Sequence, residues 1–404
     1  VKGLALNRML GYWKLIKIAN GEVPMKKLLK LFTVSAACMA LMFSLYACGE
    51  APQEKKAEEP AKIDEAVAPT EEAKTVKAGF VYVSPVGDAG YSYAHDLGRK
   101  TVDGLDFVTS AFVESVPEGA DSERVIRNMA RKGFDIIFTT SFGYMDPTIK
   151  VAKEFPDTKF MHCSGFKKAE NVNNYFGRIY QSRYLTGLVA GAMTKSNKLG
   201  YVAAFPIPEV IRGINAFAVG ARQMNPDAEI RVVWTKTWYD PALEKDAAKS
   251  LLDAGCDVIA QHQDSPAPQE AAQEAGAYCI GYNSDMSSFA PKAHLTSAIW
   301  NWGPMYTKTV EAVRDGSWEG NQSLWWSMQD GVVDIAPMGP MVPEDVKNAV
   351  MAKRDELRKG NDICFVGPIK DQNGEIKIAA GEKATDEQLH DMMWFVEGVV
   401  GTVN

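Results

Sequence analysis

From residue 78 onward the chain alternates short apolar runs rich in β-branched and aromatic residues with longer stretches in helical period. The first run, Phe80 to Val83, breaks into a loop holding two glycines, Asp88, Tyr91, Ser92 and Tyr93, and a helical pattern follows from about Ala94. DFVTSAFVESV then reads as a strand and SERVIRNMARKG as a helix, with Val125, Ile126, Met129 and Ala130 at helical spacing. FDIIFTTSF and TKFMHCSG are strands on either side of a helix MDPTIKVAKEFP, and NVNNYFGRIYQSRYLTGLVAGAMTK gives a strand and a long helix of small residues. A second series starts at Lys198. Its strands are expected at 199–205, 229–235, 256–261, 277–281 and 293–299, and its helices at 208–224, 241–254, 266–275 and 303–315. This rhythm predicts largely parallel sheets covered on both faces.

Past residue 315 the rhythm changes. Trp318, Trp325 and Trp326 crowd a segment that reads as antiparallel strands or turns, and 343–360 reads as a charged helix with a solvated face, or a permease contact. Asn373-Gly374 between short runs signals a hairpin, and TDEQLHDMMWFVEGVVG reads as a closing helix. Two βα series in one chain imply an α/β fold of two Rossmann-like lobes. The first is expected over 78–197 plus about 300–325, and the second over 198–299 plus about 326–404. In open α/β sheets ligands meet the carboxyl ends of the strands, so the loop with Asp88, Tyr91, Ser92 and Tyr93 is a candidate wall of a cleft between the lobes. Asp88 either faces that cleft or caps the helix starting near Ser92. Asp240, before Pro241, reads as an N-cap.

The N-terminal stretch is of another kind. Lys26, Lys27 and Lys30 precede an apolar run from Leu31 to Tyr46, then Ala47 and Cys48, which is the grammar of a lipoprotein signal peptide over 25–47. Residues 1–24 are expected to be an upstream artefact, with Met25 as the start. Cys48 is the expected lipid anchor, and 49–77, rich in Glu, Lys, Ala and Pro, the disordered tether of a domain held at the outer face of a bacterial membrane.

Charge and cysteine usage narrow the function. Of a net charge of -7, residues 1–47 carry +6, so the remainder carries -13 and repels nucleic acid. The six cysteines form no C-x-x-C pair, which speaks against zinc, and the last four are expected as buried free thiols. The five histidines are scattered, with His95 and His262 beside the proposed cleft. No G-x-S-x-G, H-E-x-x-H or P-loop occurs, so neither an enzyme nor a cofactor is expected.

Several motifs fall in a telling order: Asp88-x-x-Tyr91-Ser92 with Gly98, Tyr184-Leu185-Thr186-Gly187, Trp238-Tyr239-Asp240-Pro241, Gly255-Cys256-Asp257-Val258-Ile259, and Ile280-Gly281-Tyr282-Asn283-Ser284-Asp285. Together they resemble the BMP (basic membrane protein) family of ABC-transporter substrate-binding lipoproteins. The resemblance implies a type I periplasmic-binding-protein fold, a monomer, a permease partner and a purine ligand. Where family members that bind nucleosides tend to carry Asn, Asp and Ser-x-x-Lys, this chain has Ser92, Asn283 and Ser297-Ala298-Ile299-Trp300, which favours a free base over a nucleoside. Phe138–Tyr144 and Gln261–Ser265 resemble a branch for which adenine or a similar base is implied.

A planar base is held by aromatic faces and a few edge hydrogen bonds. Tyr91 and Trp238 are the expected sandwich, with Tyr93, Phe142, Trp300 and Trp302 as alternative walls. Asp264, then Asp285, are the expected carboxylates, and Ser92, Ser141 and Ser265 the hydroxyls.

Overall fold

The computed structural model describes residues 74–403, so the expectations for the signal peptide, Cys48 and most of the tether lie outside the described residues. Two sheets organise the chain. The first is assembled from β1 (Val76–Tyr82), β2 (Val108–Val113), β3 (Ile136–Thr140), β4 (Lys159–Cys163), β5 (Val172–Gly177) and β11 (Ser323–Trp326). Its spatial order is β11-β5-β4-β3-β1-β2, and every pair is parallel. The second contains β6 (Lys198–Ala203), β7 (Glu229–Trp234), β8 (Val258–His262), β9 (Tyr278–Asn283), β10 (His294–Trp300), β12 (Val333–Ile335) and β15 (Val399–Val400). Its order is β12-β10-β9-β8-β6-β7-β15, with only β12 antiparallel to its neighbour. Strands such as β3 and β8 are buried along their whole length. Helices on both faces of a parallel sheet require this, and it is why these strands read as apolar runs without alternation.

The chain crosses between the two layers after β5, after β10 and after β11. The helix α4 (Tyr180–Met193), expected with the first lobe, packs instead on α5 (Pro208–Met224) beside the second sheet. Glycines set this contact. A Cβ on Gly187 would lie 2.1 Å from the Phe217 carbonyl oxygen, and one on Gly220 would lie 2.1 Å from that of Tyr184. The helix axes approach closely because no side chain intervenes. Gly187→Ala is therefore expected to destabilise the fold by about 1–3 kcal/mol, as overpacking against backbone does, read from the urea midpoint; an unchanged midpoint would show that the helices can slide apart freely.

Two further segments differ from the sequence reading. The tryptophan-rich segment does not form an antiparallel unit of its own: β11 adds in parallel to the first sheet while β12 closes the second. The closing helix is only Asp386–His390, headed by a Thr385–Gln388 capping box, and the rest turns at Gly398 (φ 92°) to lay β15 along β7. Met392, Phe395 and Val396 are all buried in this irregular stretch, so apolar residues at i, i+3 and i+4 here mark burial without a helix. The hairpin forms between β13 (Ile369–Lys370) and β14 (Ile376–Ile378). Asp240 caps α6 (Pro241–Asp253), accepting from the amides of Ala242 and Leu243 at 3.1 Å each.

Candidate functional site

The carboxyl ends of the two sheets face each other, and between them lies a cavity with about 320 Å³ of empty space. From the first sheet come Val83, Tyr91, Ser141, Phe142 and Ser164; from the second, Glu209, Trp238, His262, Asp264 and Tyr282. The two sides touch on both flanks of the cavity. On one, the Ala89 carbonyl accepts from the Ser284 hydroxyl, and on the other Ser164 donates to Glu209.

Tyr91 opens helix α1 (Tyr91–Asp103) and not its second turn, so it shares a face with His95, four residues on. The His95 ring meets it edge-on at 4.4 Å and stacks on Trp302 at 4.7 Å, while His95 Nδ1 lies 2.5 Å from the Tyr306 hydroxyl. The Tyr91 hydroxyl donates to Cys163 Sγ at 3.2 Å. A rigid aromatic column thus stands behind Tyr91. Tyr93 does not line the cavity. Asp88 is spent on the loop: its carboxylate accepts from the Ser84 hydroxyl at 2.6 Å and from the amides of Gly90, Ser92 and Tyr93. It is the cap of α1, and Ser92 is drawn into the same network through Ser84 at 2.7 Å. Neither lines the cavity.

On the opposite wall, Trp238 sits in the loop before α6, its ring tilted against Phe205 at 4.9 Å. Its carbonyl accepts the Asp264 amide at 3.3 Å, so the loop and the end of β8 are tied together. Asp264 is 4% exposed, and one carboxylate oxygen accepts from the Asn283 side-chain amide at 2.9 Å. Burial raises its pKa well above the usual carboxylate range, and the nearby Asp88 and Glu244 carboxylates add to the rise. His262, which also lines the cavity, meets the Tyr282 hydroxyl at 3.2 Å. Burial pushes its pKa down to about 4, so the ring is neutral near pH 7.

Asp285 and Trp300, both expected at the ligand, are placed elsewhere. Asp285 is exposed and accepts the Ser287 amide at 2.9 Å, capping its own turn. Trp300 is buried behind the wall, stacked on Trp302 at 4.7 Å, with its indole N–H donating to Asn283 at 2.9 Å. Ser265 is likewise buried, held by Glu244 through its amide and hydroxyl. Trp302 belongs to the core.

The sequence reading missed Glu209, Ser164 and Tyr282 as cavity residues. An acid in the first turn of a helix, as Glu209 is in α5, is an ordinary complement to the helix dipole and carries no signal of its own. Among the described residues no group of three or more His, Cys, Asp or Glu converges on a metal site, and Cys163, Cys256, Cys279 and Cys364 are buried free thiols. No described helix is long and apolar enough to cross a membrane.

Residues 75–372 match the family model Bmp, described as ABC transporter substrate-binding protein PnrA-like. The chain belongs to this family. A protein of Brucella abortus named as purine-binding is 47% identical over 80% of this chain and 93% of its own. A relative from Haloferax volcanii, named as a candidate ABC transporter glucose-binding protein, is 44% identical over 82% of each chain. Solved ABC-transporter solute-binding proteins share the fold. One from Aeropyrum pernix has a TM-score of 0.62 at 19% identity, covering 78% of this chain and 97% of its own. One from Conexibacter woesei has 0.60 at 24%, covering 71% and 98%. The two-lobed arrangement is thus the type I periplasmic-binding-protein fold. As a Bmp member, the chain is a solute-binding protein and not an enzyme, with a small-molecule ligand, a permease partner and an extracytoplasmic place of work.

Proposed function

We propose that this Bmp protein captures a purine nucleobase, adenine or a close analogue, and delivers it to its permease, with Cys48 as lipid anchor. The observation that carries this reading is the composition of the cavity wall. Aromatic rings come from both lobes, Tyr91 and Phe142 from one and Trp238 and Tyr282 from the other, and two carboxylates, Asp264 and Glu209, reach the space between. Rings on both sides suit a flat heteroaromatic ligand. Carboxylates suit its N–H edge, and adenine offers an exocyclic amine and a ring N–H. No lysine or arginine lines the cavity, so a phosphorylated ligand would meet only like charge.

Two features support a base over a nucleoside. The space is small, and the positions that correspond to the family's ribose-binding residues are closed, since Asn283 and Trp300 bond to each other. A ligand held from both lobes stabilises the closed state, and release follows opening. Calorimetry with adenine, adenosine and glucose tests the reading. Adenine is expected to bind in the micromolar range or tighter and adenosine at least about tenfold more weakly. Binding of glucose without adenine, the outcome suggested by the Haloferax relative's name, would overturn it.

A further inference from the structure

Three side chains run in line along the carboxyl edge of the second sheet. Trp300 ends β10, Asn283 ends β9, and Asp264 lies just past β8, the next strand over. Ile299 and Asn283 are paired in the β9–β10 register, which sets Trp300 beside Asn283. The indole Nε1 donates to Asn283 Oδ1 at 2.9 Å, and Asn283 Nδ2 donates to Asp264 Oδ1 at 2.9 Å. Asn283 is wholly buried, and Trp300 and Asp264 are 6% and 4% exposed.

The chemistry fixes the direction of this chain. An indole nitrogen can only donate, so the amide atom facing it must be oxygen. The amide's NH₂ is then forced toward Asp264. The indole itself cannot turn, since it is stacked on Trp302 and packed edge-on against Phe176 at 5.0 Å. We propose that Trp300 and Asn283 are positioning residues that hold Asp264 as a hydrogen-bond acceptor, leaving its second oxygen to receive an N–H from the ligand and so selecting ligands with a donor at that edge. The proposal rests on the purine reading above and gives Trp300 a role through Asn283 and Asp264 without contact to the ligand.

The arrangement answers a specific difficulty. Asp264 is buried near the carboxylates of Asp88, Glu244 and Glu209, with the phenols of Tyr239 and Tyr282 and the neutral His262 around it. Every charged group in that set favours a protonated Asp264, which would donate where the ligand needs an acceptor. The Asn283 N–H opposes this by stabilising the ionised form. With an aspartate at 283, two carboxylates would face each other and share a proton. The backbone would tolerate it: Asn283 has φ 70°, a conformation both Asn and Asp adopt more readily than other non-glycine residues.

The test is adenine affinity by calorimetry from about pH 4 to pH 8, in the parent and in Trp300→Phe, Asn283→Asp and Asp264→Asn, with the Asp264 carboxyl titration followed by NMR in the ligand-free protein. As pH falls through its raised pKa, Asp264 takes up a proton and ceases to accept, so parent affinity declines on the acid side. In Trp300→Phe the amide is no longer pinned, and both the decline and the NMR midpoint are expected to move up by about one pH unit. In Asn283→Asp they move further, and affinity at pH 7 drops at least about tenfold. A merely structural role for Trp300 predicts a loss equal at every pH, with an unmoved NMR midpoint, and that result overturns the relay. The near-isosteric Asn283→Asp draws the same distinction should Trp300→Phe fold poorly. Full adenine affinity in Asp264→Asn, with the midpoint moved in Trp300→Phe, would instead overturn the ligand contact assigned to Asp264 while leaving the relay in place.

Discussion

Gly90→Ala is expected to weaken ligand binding by at least about 100-fold, equivalent to about 3 kcal/mol, without unfolding either lobe. A Cβ at this position would lie 1.9 Å from the Asp264 carbonyl oxygen and 2.8 Å from its Cα. These are backbone atoms across the cleft, so no side chain can swing away. The Gly90 amide is held by Asp88 at 2.7 Å, and the Asp264 amide is held by Trp238. Each side of the clash is therefore anchored within its own lobe, and the strain is relieved most cheaply by parting the lobes. That displacement draws Tyr91 away from Trp238 and Asp264 together. Calorimetry reads the affinity, small-angle scattering the opening, and thermal melting of the ligand-free protein the intact fold. Affinity within about threefold of the parent would mean that the lobes trap ligand without closing this contact.

This loop shows where sequence reasoning reached and where it stopped. The strand into Tyr82, the polar break and the following helix were legible, because a parallel strand buried on both faces leaves an uninterrupted apolar run. What could not be read was helical phase. Starting α1 near Ala94 leaves Tyr91 and Tyr93 equivalent, whereas a start at Tyr91 sends them to different sides. The deciding signal was Asp88, whose carboxylate takes up the first free amides of the helix. Trp300 and Asp285 illustrate a second limit. An aromatic ring or a carboxylate at the end of a strand looks the same in sequence whether it faces the ligand, the core or solvent. Only the neighbouring strand, through Asn283, shows that Trp300 lies behind the cavity wall. Chain proximity misled the reading of α4 as well. Its glycines at 187 and 191 mark a close helix contact, but nothing local says that the partner is α5 in the following series.

Trp238→Ala is expected to raise the adenine dissociation constant by about 10- to 100-fold, since one aromatic face contributes about 1–3 kcal/mol of stacking to a base. The residue suits the test. It is half-buried, contacts Phe205 at a tilt, and engages Asp264 through its backbone carbonyl, which the substitution keeps. The carboxylate at the ligand's edge therefore stays in place while one face of the slot is removed. Tyr91→Phe is the matching control on the opposite wall. It keeps the ring and loses only the hydroxyl bonded to Cys163, so its affinity should stay within about threefold of the parent. Together with Gly90→Ala the variants separate two contributions to affinity. Gly90→Ala weakens every ligand that closure traps, whatever its shape, whereas Trp238→Ala weakens a ligand in proportion to the aromatic face it presents. A purine held between the lobes must lose affinity in both variants. If Trp238→Ala binds adenine as tightly as the parent while Gly90→Ala does not, the cavity closes on its ligand but the tryptophan is only a wall, and the assignment of a stacked base to this slot fails.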